Sequence, residues 1–417
     1  MTSDVLAPLT KRGVPIDPTL RTLALGTFVN RSGSGALMTV FALYFTRKVG
    51  LEPSQVGLAL SIGALVGMLT QVPFGHLADV RGPREVLRAL TVLTGCISLT
   101  LLVTRSFVLL ILVMAVLTGI EAGCNGVRNG YIARIATGGQ GVRFKAYLRA
   151  VTNVAIGLGA LAGGLALAVD QSWAYLSVLA LDGIGTIATG LIYVSLPHVP
   201  PAPEREAGEP RMAVLRDLPF VVTTFLAGII AMHFIVIEVG IPLWVASHTE
   251  APRSMVAVLL VMNTAAVALF QIRLARGSDK VMSSVRLSIF GAFWIAGGFA
   301  IIAMADGVGR NAAIAILIIG SGVHVVGEML TSGASWGVSM GLAPVERQGQ
   351  YQGFAGLGFS VANVVAPTLT TVLCIEWGRP GWFILGGLVL GAALLNRPAC
   401  AWALRTREKY GAASASG

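Results

Sequence analysis

Twelve apolar runs, each about as long as a lipid bilayer is thick, recur along the chain and restrict its fold more than any other feature. A helix needs about 20 residues to cross roughly 30 Å of hydrocarbon. Hydrophobic residues make up 55% of the 417 residues and charged residues only 12%, too few charges to cover a water-soluble surface. The sequence therefore predicts an all-α, polytopic membrane protein of twelve transmembrane helices. The predicted spans are 22–45, 56–77, 87–103, 107–127, 150–169, 174–196, 220–245, 256–272, 287–305, 312–336, 354–374 and 382–403.

A polar segment separates the sixth predicted span from the seventh. Five prolines lie in it among Glu and Arg residues, which is typical of a solvated linker. They are Pro197, Pro200, Pro201, Pro203 and Pro210. Because six spans lie on either side, the pattern indicates a duplicated six-helix unit. We expect an N-terminal six-helix bundle at 1–196, a cytoplasmic linker at 197–218 and a C-terminal six-helix bundle at 219–417.

Basic residues collect on one side of the predicted spans. The N-terminus, the even-numbered loops and the C-terminus carry 23 of the 30 Lys and Arg residues, with Arg88 and Arg397 counted at the helix ends they adjoin. Because positively charged loops stay in the cytoplasm, both termini are predicted to be cytoplasmic. No continuous basic stripe accompanies the net charge of +10, so nucleic acid is not expected as a partner. We expect a multi-pass protein of the bacterial cytoplasmic (inner) membrane.

The loop after the second predicted span carries a motif, which reads Gly75-His76-Leu77-Ala78-Asp79-Val80-Arg81-Gly82-Pro83-Arg84. It resembles the signature loop of the major facilitator superfamily: a glycine, three residues, an aspartate, a basic residue, any residue, a glycine and further basic residues. The basic residue comes one position later here, since Val80 follows Asp79. In that family the loop helps to latch the two halves together on the cytoplasmic side. The resemblance assigns this conformational latch to Gly75, Asp79, Gly82 and Arg84, and an ordinary positively charged turn is the alternative.

Other segments extend the resemblance over essentially the whole chain. The loop after the eighth span contains a degenerate copy, Arg273-Leu274-Ala275-Arg276-Gly277, which lacks the acid and supports the duplication. Asn30-Arg31, 149–153 and 343–353 resemble segments of bacterial drug:proton antiporters of the superfamily. The fifth span departs from the antiporter pattern, because Gly159 is followed by Ala160 and not by proline. The resemblance implies two pseudo-symmetric six-helix bundles, transport by alternating access and a monomer.

Titratable side chains inside the spans are the most informative positions for function, because an ionised group in hydrocarbon needs a partner, an aqueous cavity or a role. They concentrate in spans one, four, seven and ten, the helices that line the central cavity in the family that the chain resembles. Glu121, Asn125 and Arg128 share one helix face if the fourth span continues one residue past its predicted end. The predicted substrate-cavity residues are Asn30, Arg31, Glu121, Asn125, His233, Glu238, His324 and Glu328.

Acidic residues in the spans are the candidates for proton coupling, because a carboxyl group removed from water retains a proton more readily. In order of preference they are Glu328, Glu238, Glu121 and Asp182, with His324 added. His324 and Glu328 are four residues apart on one predicted helix, so the imidazole can hydrogen-bond to the carboxylate. Two alternatives stay open: Arg31 and Glu121 form a purely structural ion pair, and His233 is a packing residue.

Sequence motifs for enzymatic chemistry or ATP use are not found. The chain has no phosphate-binding Gly-Lys-Ser loop, no zinc-type His-Glu pattern and no nucleophile elbow, so we expect neither an enzyme nor a cofactor or metal. The favoured hypothesis is a proton-coupled exporter of small, amphipathic or cationic organic molecules, with protons and the lipid bilayer as its other partners. The alternatives are a proton symporter that imports a nutrient and a transporter-like receptor that binds a ligand without transporting it.

Overall fold

The computed structural model describes residues 14–136, 139–203 and 212–410. Within these residues the chain forms twelve long helices and no strand. The helices are α1 Pro18–Leu43, α2 Pro53–Arg81, α3 Pro83–Thr100, α4 Phe107–Ile135, α5 Gly139–Val169, α6 Ser172–Ile192, α7 Leu218–His248, α8 Met255–Leu274, α9 Val281–Ala303, α10 Arg310–Leu342, α11 Gln348–Thr370 and α12 Arg379–Arg405. Each predicted span lies in or overlaps one of these helices, so the predicted all-α class is confirmed.

Ten of the described helices are long and apolar enough to cross a membrane by length and composition. The exceptions are α1 and α3, both of which the sequence predicts as spans. Polar residues explain the difference, since α1 carries Asn30 and Arg31 at mid-length, and the first turns of α3 contain Arg84, Glu85 and Arg88. These two helices therefore depend on neighbours in the bundle more than the other ten do.

Local sequence signals define the helix ends. The Asp17 side chain accepts hydrogen bonds from the backbone N–H groups of Thr19 and Leu20 and caps α1, which begins at Pro18. Gly82 ends α2 with a φ of +96°, a conformation that glycine adopts without steric cost. Proline follows at the first position of α3. The predicted polar turn after the second span is thus a tight helix-to-helix connection.

The chain folds into two compact units. The first contains 1–137, 147–209 and 345–354, and the second contains 138–146, 210–344 and 355–417. The start of α5 thus belongs to the second unit and the start of α11 to the first. The bundle limits expected from the linker, 1–196 and 219–417, therefore stay a prediction. Of the predicted linker, residues 204–211 lie outside the described part of the chain.

Close approach at glycine shapes the packing inside the first unit. A Cβ at Gly63 of α2 would lie 2.9 Å from the carbonyl oxygen of Met114 on α4, and one at Gly95 of α3 would lie 2.7 Å from that of Gly183 on α6. Small residues let membrane helices approach until their backbones touch, which is the principal source of helix association in lipid. The helix pairs α2 with α4 and α3 with α6 are held in this way.

The second unit combines the same device with an aromatic core. A Cβ at Gly298 of α9 would lie 2.8 Å from the backbone nitrogen of His324 on α10. The Trp382 ring packs edge-on against the rings of Trp244 and Phe299, with ring centroids 5.5 and 5.6 Å apart. The indole N–H of Trp244 donates to the Ile302 carbonyl at 3.1 Å, so the buried ring has its polar atom satisfied. Helices α7, α9 and α12 meet around these rings.

Helix α7 is not regular along its length. Its first segment, Leu218–Ala231, is followed by a short turn, a π-helical segment Val236–Gly240 and a last segment Ile241–His248. In a regular helix the N–H of residue 242 would bond to the Glu238 carbonyl, but Pro242 has no N–H. The wide turn therefore has a local sequence cause. Such π segments occur often at functional sites, and this one contains Glu238.

A buried ion pair ties the start of α7 to the segment after α12. Arg407 Nη2 lies 2.7 Å from Asp217 Oδ2, with only 4% and 0% of the two side chains exposed. Asp217 Oδ1 also accepts the Phe220 N–H at 3.1 Å and caps α7. Both groups belong to the second unit. The pair therefore joins two segments of that unit that lie 190 positions apart in the sequence.

Replacing Asp217 tests the importance of this pair. We expect Asp217→Ala to lower the free energy of unfolding by about 3–5 kcal/mol, because it leaves the buried guanidinium without this carboxylate. Thermal unfolding of the purified protein in detergent measures the loss. The double variant Asp217→Ala, Arg407→Met should regain part of it, since no buried charge remains. An unchanged melting temperature in Asp217→Ala would show that the pair does not stabilise the unit.

Candidate functional site

A cluster of charged and amide side chains lies inside the first unit. Arg31 on α1 points to α4, where its Nη1 lies 3.4 Å from Glu121 Oε1 and its Nη2 donates to Asn125 Oδ1 at 2.9 Å. Arg128 Nη2 donates to the same Asn125 oxygen at 3.1 Å. The ion pair that the sequence suggested between Arg31 and Glu121 is thus present. Asn125 joins it to a second arginine.

The length of α4 explains why these residues meet. The helix continues to Ile135, beyond the predicted span, so Glu121, Asn125 and Arg128 occupy one helix face at spacings of four and three. On α1 the adjacent residue, Asn30, donates from Nδ2 to Thr186 Oγ1 on α6 at 3.0 Å. Two successive positions of α1 therefore bond to different neighbours, which fixes the rotation of the helix.

Asp182 on α6 occupies a separate position in the first unit. Its side chain is 6% exposed, and its Oδ2 accepts the Ser98 hydroxyl of α3 at 2.7 Å. A Cβ at Gly33 would lie 2.9 Å from Asp182 Oδ1, so α1 passes close to the carboxyl group. No ion pair joins Asp182 to an arginine among the described residues. The structure therefore gives this acid a hydroxyl partner and does not bring it into contact with Arg31.

The second unit contains a cavity of about 250 Å³ between α7, α8 and α10. Its polar lining consists of Glu238, Asn263, Ser321 and His324, and the other lining residues are apolar. Glu238 has no hydrogen bond or ion pair to any residue in the described part of the chain. The wide turn of α7 thus presents an accessible, unpaired carboxylate to a largely apolar space. Such a space with a few polar groups is typical of small-molecule sites.

Glu328 lies deeper in the same unit. It is 2% exposed, and its Oε2 accepts a hydrogen bond from Asn263 Nδ2 at 2.7 Å. Asn263 also lines the cavity, so its amide connects the cavity to the buried acid. The sequence reasoning did not select Asn263, although an amide in the middle of an apolar span is a signal of the same kind as Asn125. The structure brings Glu238, His324 and Glu328 together around it.

Two histidines of the second unit, His233 and His324, lie near the cavity and interact with aromatic rings. His324 is 1% exposed, and its ring stacks on Phe299 at 5.3 Å and meets His233 edge-on at 5.2 Å. The expected hydrogen bond from His324 to Glu328 is not formed among the described residues. The spacing of four is present, but the imidazole stacks against α9. His233 Nε2 lies 3.3 Å from Thr331 Oγ1, so packing and a hydrogen bond both hold it.

The predicted latch aspartate caps a helix. Asp79 is 2% exposed and accepts the N–H groups of Gly349 and Gln350, each at 2.8 Å, in the first turn of α11. These N–H groups lack partners within the helix, and the helix dipole favours a negative charge at this end. Gly75 packs against the Gly349 carbonyl so closely that a Cβ would overlap it. All four residues belong to the first unit.

The latch role of Arg84 stays a prediction. Its Nη2 donates to the Val194 carbonyl at 2.8 Å, at the end of α6. No bond joins it to Asp79 among the described residues. The backbone N–H groups at the start of α11 are the hydrogen-bond partners that the structure gives Asp79. Arg84 therefore connects α3 to α6 within the first unit.

Asp279 is a residue that the sequence reasoning missed. It follows Asp79 by the same 200 positions that separate Ala275 from Gly75. Its Oδ1 packs against Gly139, the first residue of α5, and its Oδ2 lies 3.5 Å from Arg143 Nη2 in the next turn. Asp279 thus stands at the start of α5 as Asp79 stands at the start of α11. Aligning the two halves of the sequence at an offset of 200 residues, and not by their Arg-Gly pattern, would have identified Asp279 as the acid of the degenerate copy.

The sequence matches the family model described as Major Facilitator Superfamily over residues 23–367, most of the chain. The chain belongs to this superfamily. Its fold is the all-α fold of the family, and membership indicates a multi-pass membrane transporter and not an enzyme. The prediction that rested on the loop after the second span is confirmed at this level.

Two proteins of this kind are similar in sequence to the chain. An uncharacterized transporter of Bacillus subtilis, YwbF, is 34% identical over 84 residues, which cover 20% of this chain and 21% of that protein. The class C tetracycline resistance protein of Escherichia coli is 24% identical over 356 residues, 81% of this chain and 85% of that protein. The chain thus matches only about a fifth of the first relative's length and most of the second's.

Solved structures of transporters share the fold at low identity. The human organic anion transporter TETRAN has a TM-score of 0.67 at 13% identity, covering 91% of this chain and 98% of that chain. A bacterial homologue of the iron transporter ferroportin, in an outward-facing state with soaked iron, has a TM-score of 0.66 at 15% identity, covering 92% and 98%. The proton:xylose symporter XylE has a TM-score of 0.64 at 14% identity, covering 90% and 94%.

The cap at the start of α11 gives a direct test of Asp79 in this superfamily member. In Asp79→Ala we expect the Gly349 and Gln350 amides to exchange their hydrogens about 10- to 100-fold faster, because a charge-assisted bond contributes about 1.5–3 kcal/mol. Hydrogen exchange measured by mass spectrometry on peptides that cover 345–354 reports the change. Arg81→Ala in the same loop, where the side chain is exposed, is the matched control. Equal exchange in both variants would remove Asp79 from this role.

Proposed function

We propose that this chain is a proton-coupled exporter of small organic compounds that works by alternating access. The observation that carries the proposal is the arrangement of Glu238, Asn263 and Glu328 in the second unit. An accessible carboxylate lies on a cavity of about 250 Å³, and an amide that lines the same cavity bonds to a buried carboxyl group. A proton carrier needs an acid that alternates between water and a shielded site. The arrangement supplies both positions.

The roles follow from exposure. Glu238 has no partner among the described residues and faces the cavity, so it receives protons from water and contacts substrate. Glu328, 2% exposed, holds the coupling proton, and Asn263 orients its carboxyl group. His324 borders both the cavity and the aromatic core and completes the site. Glu121 and Asp182 rank lower, because both belong to the first unit and neither lines this cavity.

The direction of transport rests on the relatives. Similarity to a tetracycline resistance protein over most of both chains supports export. The similarity in fold to a proton:xylose symporter supports the rival hypothesis, import of a nutrient together with protons. We propose the inner membrane of a bacterium as the location, both termini in the cytoplasm as the collected Lys and Arg residues predict, and a monomer as the working unit. A receptor without transport is the remaining alternative.

A substitution at Glu328 tests the coupling. In proteoliposomes we expect Glu328→Gln to abolish flux driven by a pH gradient, because glutamine keeps the shape and the bond to Asn263 but does not titrate. Proton flux and the flux of tetracycline and a compound panel are measured together for the parent and the variant. Glu376→Gln, which changes an exposed acid at the end of the π-helical segment that follows α11, is the matched control and should behave as the parent. Coupled flux that survives in Glu328→Gln would exclude this residue as the carrier.

The same vesicles separate export from import. With an acidic interior, protons that leave through an antiporter bring substrate in, whereas a symporter lets substrate out together with protons. We expect accumulation of at least one compound of the panel and no response to xylose. Release of preloaded compound under this gradient would favour the symporter. Ligand binding without any flux would favour the receptor.

A further inference from the structure

The first unit contains a small pocket that is lined by two arginines, Arg31 and Arg128. Arg31 and Arg128 both donate to the single oxygen of Asn125, at 2.9 and 3.1 Å. Glu121 is the carboxylate of the cluster, and it pairs with Arg31 only, at 3.4 Å. Among the described residues no carboxylate lies within ion-pair distance of Arg128. Two guanidinium groups thus share one acid and one amide.

Arg128 has more N–H donors than its neighbours provide acceptors for. A guanidinium group carries five N–H donors and no acceptor. Arg128 Nη2 bonds to Asn125, whereas its Nε is buried and has no hydrogen-bond partner in the described part of the chain. An ionised donor shielded from water and left unpaired is destabilising. The position is therefore incomplete without an acceptor from elsewhere.

The other groups around the pocket do not supply the missing acceptor. Asp182 accepts the Ser98 hydroxyl at 2.7 Å and makes no ion pair with either arginine. Thr91 and Thr94 donate to carbonyl groups of their own helix, at 2.7 and 2.8 Å, and neither accepts a hydrogen bond from an arginine among the described residues. The remaining lining residues are Asn30, Leu87, Cys124, Thr186, Thr189 and Tyr193. The pocket measures about 30 Å³, which is room for about two water molecules.

We propose that this pocket binds the carboxylate group of an organic anion, which takes the place of Glu121 on Arg31 and provides an acceptor for Arg128. The inference rests on the proposed function, because it makes the pocket part of the substrate site of a transporter. Planar carboxylates match the forked donors of arginine. Glu121 gives way readily, since its contact with Arg31 is long and 40% of its side chain is exposed. The small cavity favours a carboxylate over the bulkier phosphate.

This assignment changes the expected class of substrate. The hypothesis drawn from the sequence was an exporter of amphipathic or cationic molecules. Arg128 lay beyond the predicted end of the fourth span, but α4 continues to Ile135 and brings it beside Arg31. The acids of the second unit remain available for protons. The organic body of the anion is held by its carboxylate end in the first unit.

Binding to the purified full chain in detergent, without any gradient, tests the pocket. The probes are acetate, benzoate and phenylacetate with the corresponding amides and amines, and the measured quantity is the ligand-dependent shift in melting temperature. We expect the carboxylates to stabilise the protein and the amides and amines to have no effect. Arg128→Gln should weaken carboxylate binding at least tenfold, and Glu121→Gln should strengthen it, because the internal competitor is gone. Arg105→Gln, an arginine bonded to Tyr44 outside the pocket, should match the parent.

The opposite signs keep the test decisive if one variant folds poorly. Failure of every carboxylate to bind, or preference for the amines, would overturn the proposal. Weaker binding in Glu121→Gln would do the same, because it would make Glu121 a ligand contact and not a competitor. The result is independent of proton coupling. Carboxylate binding with no gradient-driven flux sinks the proposed function alone, whereas coupled flux of amines without carboxylate binding sinks this inference alone.

Discussion

The cost of holding a charge away from water is the constraint on which the structure of this chain depends. A side chain that is ionised in hydrocarbon must find a partner or reach an aqueous space. The two units meet this requirement in different ways. In the first, Arg31 and Arg128 are held by a carboxylate and an amide. In the second, an amide bonds to buried Glu328, while Glu238 reaches the open cavity.

Helix packing follows from the same environment. Because lipid gives little hydrophobic reason for helices to associate, the backbones approach closely at glycine, as at Gly63 and Gly95. Close approach then brings polar side chains of neighbouring helices within hydrogen-bond distance, as it does for Ser98 and Asp182. Packing and polar pairing are therefore one design in these units. A larger residue at such a glycine would separate both kinds of contact.

Patterns of spacing and burial were predictable from the sequence, and contacts between helices were not. The apolar runs gave the helices, and the loop of Asp79 gave the family, because both are local signals. The ion pair of Arg31 with Glu121 was one of the alternatives that the sequence left open, and the structure contains it. The stacking of His324 on Phe299 was not predictable, because it depends on how α9 and α10 are oriented relative to each other. Asn263 and Asp279 were missed for the same reason, because each contacts a residue that is far away in the sequence.

The π-helical segment of α7 determines how the Glu238 side chain could be reoriented. A π-helical turn contains one residue more than an α-helical turn. If this surplus residue passed to an adjacent turn, both ends of the helix could stay in place. Each residue in a helix is rotated by about 100° from the one before it. Passing the surplus across Glu238 would therefore swing its side chain around the helix axis by about that angle. Such a rotation would exchange backbone hydrogen bonds without moving a whole helix, and it would have to overcome Pro242, which holds the wide turn at this position.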